Sequence, residues 1–250
     1  MVTKVIALAG ANGHVGKALS SVKSATLQEL KTIGPSIHVI SYNDEASIVS
    51  ALQGVDVLVS TVSGTAIASA QIPLIIAAKT AGMKLFFPSE YGGVYEDGPG
   101  APHFVRTKNS VIKSAQVAGL PFAVVSNGAF PEYYLIPPFG YNFAGRKVSV
   151  WGDGNAKISR TTLDLQRVEI DPPLNGYKTD TSTSRETNTT SVKLQVDYHP
   201  LKELEDRIDA NENDILAFLL RESSSGGGEI GGADNDMHPD WKPESLRVIL

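Results

Sequence analysis

Short apolar runs, partly β-branched and bounded by Gly, Pro, Ser or Asn, recur through the first half of the chain at Lys4–Ala9, Ile37–Ser41, Val55–Val62, Lys84–Pro88 and Phe122–Asn127. Each reads as a strand. Between them lie segments with helical spacing: His14 to about Ser24, Leu27–Ile33, Glu45–Leu52, Ala66–Ala81 and Phe104–Ala118. Strands that alternate with helices predict a parallel sheet covered on both faces. Val55–Val62 is almost wholly apolar, as a central strand of such a sheet should be. Gly54 and Gly82 fall just past helix ends, where a left-handed cap is favoured.

The pattern changes after Gly128. Prolines and glycines punctuate an aromatic stretch carrying Phe130, Tyr133, Tyr134, Phe139, Tyr141, Phe143 and Trp151. It reads either as the wall of a substrate pocket or as core packing under a loop. A hairpin is predicted at Lys147–Trp151. Residues 175–191 are rich in Thr, Ser and Asn and read as a mobile loop. Leu201–Leu220 has helical periodicity with a break flanked by Asp209 and Asn213, and Ser223–Gly232 reads as a flexible linker.

The first strand runs directly into Gly10, Gly13 and Gly16, and a helical segment follows. Strand, G-x-x-G-x-x-G and helix, in that order, present a dinucleotide diphosphate to a helix N-terminus. Gly10 permits the turn, Gly13 lets the backbone approach phosphate, and Gly16 allows close helix packing. The fold expected is α/β, a doubly wound parallel sheet of Rossmann type, with a small C-terminal α+β substrate lobe. The division expected is 1–150 for nucleotide binding and 151–250 for the lobe.

Composition narrows the chemistry. The net charge is −5 over 250 residues, with no basic stripe to track nucleic acid. No apolar run approaches the ~18 residues of a membrane helix. The absence of cysteine removes thiolate catalysis and fits a reducing compartment, so a cytoplasmic location is expected. The five histidines are scattered without ligand spacing, so no metal site is expected. Tyr198 and Lys202 have the spacing of a catalytic Tyr-x-x-x-Lys pair, but Pro200 interrupts the helix it would need.

Three blocks together carry a resemblance. They are Gly10-Ala-Asn-Gly-His-Val-Gly16, then Phe86-Phe-Pro-Ser-Glu-Tyr-Gly-Gly93, then His103-Phe-Val-Arg-Thr-Lys-Asn-Ser with the later Gly-Leu-Pro-Phe-Ala-Val-Val-Ser-Asn-Gly-Ala-Phe130. The chain resembles the NmrA-like, isoflavone-reductase-like branch of atypical short-chain dehydrogenases over most of residues 3–165. The resemblance implies a reductase that uses NADPH in preference to NAD on a small, aromatic or enone-like substrate. It implies that Lys108 is the catalytic residue and also reaches the cofactor. It places Gly10, Asn12, Gly13, His14, Val15, Gly16, Thr61, Val62, Pro88, Ser89, Asn127 and Gly128 at the cofactor, and Tyr91, Phe130 and Tyr133 at the substrate. His103 reads as a surface or capping residue.

The same family contains non-catalytic regulators that sense the nucleotide and bind a protein partner, with a nuclear location open to them. That alternative stands beside the enzyme. The segment after Ser20 is also shorter than the family's, and a second strand with its ribose-reading loop is missing. Either a gap opens in the sheet, or Ile37–Ser41 moves beside the first strand to fill it.

Overall fold

The computed structural model describes residues 5–11, 13–19, 36–62, 64–98, 101–161 and 194–230. The helix predicted at Leu27–Ile33, the loop at 175–191, Asn12 and Ser63 lie outside the described residues, as does the shortened segment after Ser20. The chain divides into two compact units, one comprising Met1–Tyr91 and Glu96–Ser126, the other Gly92–Tyr95 and Asn127–Leu250. This division groups the aromatic run after Gly128 with the C-terminal residues, so the change falls earlier than residue 150.

The first unit holds a parallel sheet of β1 (Ile6–Ala9), β2 (Val57–Ser60) and β3 (Leu85–Phe87), in that spatial order. Ile6 pairs with Val57 and Ala9 with Ser60; Val57 pairs in turn with Leu85. Among its described residues this unit has four α-helices: α1 (His14–Leu19), α2 (Glu45–Ala51), α3 (Ile67–Thr80) and α4 (His103–Ala118). Asp44 caps α2, its side chain accepting from the Ser47 amide at 3.1 Å. Gly119 ends α4 in the left-handed conformation, φ 62°. Its carbonyl accepts from Lys79 Nζ at 2.8 Å. The core is built from Ile48, Leu58, Leu74, Ile75, Phe86, Val111 and Ala115, all fully buried. Each comes from a segment that the apolar pattern had assigned to a strand or helix.

Two predicted strands fail. Ile37–Ser41 forms no ladder with β1 or with any other described strand. Its side chains do not alternate between core and solvent. Ile40 packs on the core, His38 and Val39 are exposed, and the run ends where Asp44 turns into α2. Apolar composition there serves as a half-buried lead into a helix rather than as a strand. Phe122–Asn127 pairs only at its start, through a parallel bridge between Phe122 and Phe86. The Ala123 amide donates to the Phe86 carbonyl at 3.0 Å, after which Val124 and Val125 are exposed. β3 is too short to template more, because Pro88 ends its run of donors.

In the second unit β4 (Tyr141–Asn142) and β5 (Lys147–Trp151) form a hairpin, with Tyr141 opposite Val148; the hairpin predicted at Lys147–Trp151 is corrected, since that segment is one arm and the other lies before it. β6 (Gln195–His199) adds to β5 in parallel, a pairing that the sequence pattern did not announce. A short helix α5 (Pro131–Tyr134) precedes the hairpin, and α6 (Lys202–Ala210) and α7 (Ile215–Ser225) follow β6. The break between α6 and α7 lies where the periodicity placed it. Leu204, Ala217 and Leu220 form the apolar contact between the two helices, with Trp151 and Phe139 against it. Tyr198 sits in β6 and Lys202 begins α6, so the two never share a helix face.

The linker expected at Ser223–Gly232 is corrected over its described part. α7 continues to Ser225, with Ser223 Oγ donating back to the Leu219 carbonyl at 2.7 Å instead of leaving the helix for a competing turn. Beyond it, the Gly228 carbonyl accepts from the Ser159 amide, and the Ile230 amide donates to Ser159 Oγ at 2.8 Å. The serines and glycines of this stretch are therefore tied in.

Candidate cofactor and catalytic site

Parallel pairing brings the carboxyl ends of β1, β2 and β3 to one edge of the sheet. In an open α/β sheet this is the edge at which ligands bind. Gly10 leaves β1 with φ +85°, a conformation that side chains other than glycine's rarely adopt. Thr61, just past β2, closes on it. The Thr61 amide donates to the Ala9 carbonyl at 2.8 Å, and Thr61 Oγ1 lies 2.9 Å from the carbonyl oxygens of Ala9 and Gly10.

The turn is closed from within by the Gly13 amide, which donates to the Gly10 carbonyl at 2.9 Å. A Cβ on Gly16 would fall 2.3 Å from the Gly10 carbonyl oxygen. Gly16, in α1, thus lies hard against the turn and against Thr61 Oγ1, 2.9 Å from such a Cβ, so the helix approaches the strand ends too closely for any side chain there. Gly13 and His14 are exposed, Val15 is half-buried and Gly16 is buried. The loop is therefore accessible to solvent at Gly13 and His14, although the Gly13 amide is used inside it. At the end of β2, Ser60 Oγ is buried without a hydrogen-bond partner, and Val62 is buried beside it.

After β3 comes Pro88-Ser89-Glu90-Tyr91. Pro88 is fully buried and Ser89 nearly so. The Ser89 amide donates to Gln71 Oε1 at 2.8 Å, and the Glu90 amide donates to the Pro88 carbonyl at 2.9 Å. Lys108 lies in the second turn of α4, and its Nζ is 3.4 Å from Glu90 Oε2. Both side chains are largely withdrawn from solvent, with exposures of 15% and 13%. Burial pushes the Glu90 carboxyl above the usual carboxylate range, against the downward pull of the Lys108 ammonium. Glu90 Oε1 is buried and has no hydrogen-bond partner. Tyr91 is half-buried, and burial raises its phenol. His103 is exposed at the start of α4, as expected of a surface or capping residue, with its carbonyl accepting from Thr107 Oγ1 at 2.8 Å.

The remaining candidates lie in the second unit. Both polar atoms of the Asn127 side chain are buried without partners. Gly128 has φ +70°, and a Cβ there would meet the Ser159 carbonyl oxygen at 2.0 Å. Phe130 and Tyr133 pack edge to face, ring centres 6.3 Å apart, and Tyr133 is exposed. The other aromatic residues of this run serve largely as core. Tyr134 packs on Phe139 and Tyr141, with Arg160 over its ring. Burial, the larger cause, together with the neighbouring Tyr134 pushes the Tyr141 phenol up to about 12.

Neither the role of Gln71 nor the partnership of Glu90 with Lys108 is legible in the sequence pattern. Gln71 had one signal, an amide set within an otherwise apolar helix. Glu90 had none beyond its neighbours. Among the described residues no group of three or more His, Asp or Glu side chains is placed to hold a metal ion.

The family model described as the NmrA-like family matches residues 2–148. The chain belongs to the NmrA-like family. Phenylcoumaran benzylic ether reductase PT1 of Pinus taeda is 36% identical over 147 residues, covering 56% of this chain and 47% of that protein. Phenylcoumaran benzylic ether reductase 1 of Arabidopsis thaliana is 31% identical over 209 residues, covering 74% of this chain and 67% of that protein. The chain thus spans from about half to two thirds of the length of these curated relatives. Among solved structures, the binary complex of leucoanthocyanidin reductase with NADPH from Vitis vinifera superposes with a TM-score of 0.68. It does so at 19% identity over 98% of this chain and 96% of that one. That likeness establishes the fold, a Rossmann-type α/β architecture.

Proposed function

We propose that this NmrA-like protein is an NAD(P)H-dependent reductase of a small aromatic substrate, with NADPH as the preferred cofactor. One observation carries the reading. The glycine turn after β1, Thr61 and Val62 after β2, and the Pro88–Glu90 turn that meets Lys108 after β3 all stand at one edge of a parallel sheet. The relatives' names supply the substrate class, aromatic ethers of the phenylcoumaran type, and the solved complex supplies NADPH.

The residues present fit a dinucleotide. The turn is held tight by Thr61, its face at Gly13 and His14 is open, and backbone amides there suit a diphosphate. Ser60 Oγ, at the end of β2, is a buried polar group without a protein partner, which suits hydrogen bonding to a ligand. When bound, the reduced nicotinamide supplies the hydride. Lys108 orients the nicotinamide ribose and donates a proton from Nζ to the oxygen that gains charge. In this reading Thr61, Val62, Pro88 and Ser89 line the path of the cofactor, and Tyr91 contacts the substrate. A cytoplasmic location accords with a chain that has no cysteine. No helix among the described residues is long and apolar enough to cross a membrane.

The test is NADPH oxidation followed at 340 nm with a phenylcoumaran benzylic ether and with pinoresinol. Turnover that disappears in Lys108→Ala, with NADPH binding retained, supports the reading. Turnover unchanged in Lys108→Ala removes Lys108 from the chemistry.

A further inference from the structure

We infer that Glu90 is the positioning residue for Lys108, and that Gln71 fixes the turn from which Glu90 acts. This deepens the function proposed above and rests on the assignment of proton donation to Lys108. A lysine side chain has a flexible four-carbon stem and much rotamer freedom to lose. An ammonium that must meet one ligand atom needs a partner that holds it. Glu90 Oε2, 3.4 Å from Nζ, is that partner.

The turn bearing Glu90 is itself held from several sides. Gln71 is fully buried in α3, and both ends of its amide are used. Nε2 donates to the Ile67 carbonyl at 3.0 Å, and Oε1 accepts from the Ser89 amide at 2.8 Å. Pro88 is buried, and its carbonyl takes the Glu90 amide. A line of contacts therefore runs from the body of α3 through Ser89 and Glu90 to Nζ of Lys108. Every residue in it belongs to the first unit.

Stability alone does not account for this carboxylate. It is mostly buried, its second oxygen has no donor, and burial disfavours its charge. Replacement of a buried ion pair by apolar side chains of similar volume is often neutral or stabilising. A carboxylate kept at such a cost points to work done on its partner, here the placement of an ammonium at the carboxyl ends of the strands.

The experiment uses the full chain as wild type, Glu90→Gln, Glu90→Asp and Lys108→Ala. The first readout is acylation of Lys108 by acetic anhydride, followed by peptide mass spectrometry, with Lys113 on the same helix as internal standard. Glu90→Gln should raise the rate at Lys108 relative to Lys113 by about tenfold, the scale of one partly screened charge contact. Glu90→Asp, which keeps the charge, should remain near wild type. It also keeps the test alive if the Gln variant does not fold. The second readout is kinetic: Glu90→Gln should lower kcat while the NADPH dissociation constant, from fluorescence titration, stays within about twofold.

An unchanged Lys108-to-Lys113 ratio in Glu90→Gln, or a Glu90→Asp variant as reactive as the Gln variant is expected to be, overturns the inference. If Lys108→Ala leaves turnover intact, the reading of Lys108 as proton donor fails instead. The acylation ratio still decides whether Glu90 holds Lys108.

Discussion

Gly10 and Thr61 are packed so closely that a single added carbon on the glycine would lie 2.7 Å from the threonine hydroxyl and 2.8 Å from its carbonyl carbon. The obstruction on the carbon side is backbone, which cannot swing aside. With φ at +85°, Gly10→Ala also meets local strain. The expected loss is about 1–3 kcal/mol of stability. NADPH binding should fall with it, because the turn is the proposed seat of the diphosphate. A thermal melt with and without NADPH checks both effects.

That melt also tests the wild type. A ligand that binds only the folded chain stabilises it by about 2.7 kcal/mol at one hundred times its dissociation constant. NADPH should therefore raise the midpoint in proportion to the logarithm of its concentration, and NADH should do so less at equal concentration. Equal shifts would remove the preference for NADPH.

Gln71→Leu keeps the size of a side chain that is fully buried but strands the Ser89 amide. An unsatisfied buried donor costs about 1–3 kcal/mol. Denaturant unfolding should show that loss. Glu90→Gln leaves the Gln71–Ser89 hydrogen bond in place, so it should not reproduce this particular loss.

In the second unit Asp214 caps α7, accepting from the Ala217 amide at 2.9 Å and pairing with Arg207 through both oxygens. Burial pushes its carboxyl up, but the Ala217 amide and the Arg207 guanidinium together outweigh burial and hold it below its ordinary value of 3.8. A carboxyl lowered by folding contributes stability that is present above its unfolded value and lost as pH falls through the folded one. Asp214→Ala should therefore cost about 0.5–2 kcal/mol at neutral pH. The difference from wild type should vanish in acid, below the lowered value. Paired denaturation curves across that range test the sign.

Much of the first unit was legible because its signals are local. Gly10, Gly13 and Gly16 are spaced for a turn whatever surrounds them. Ala70, Leu74, Ala77 and Ala78 recur at helical intervals in α3, as Val111 and Ala115 do in α4, and β2 opens with the apolar run Val57-Leu58-Val59. Ile37–Ser41 and Phe122–Asn127 misled because β-branched composition signals burial, whereas a strand also needs a neighbour along its length. The first segment joins no ladder, and the second has Phe86 at one end only. β6 was missed for the converse reason: alternating Gln195, Asp197 and His199 look polar until Lys147–Trp151 supplies a partner.

The sequence by itself determined the order of strand, glycine turn and helix, the family, and the lysine on the helix after Pro88-Ser89-Glu90, since these depend on neighbours within a few residues. Only the tertiary structure decided that Thr61 closes the turn, that Gly16 lies hard against it, and that Gln71, Ser89, Glu90 and Lys108 form one line of contact. Those contacts join residues distant in the chain, and their worth depends on burial and on hydrogen-bond geometry, which exist only once the helices have packed on the sheet.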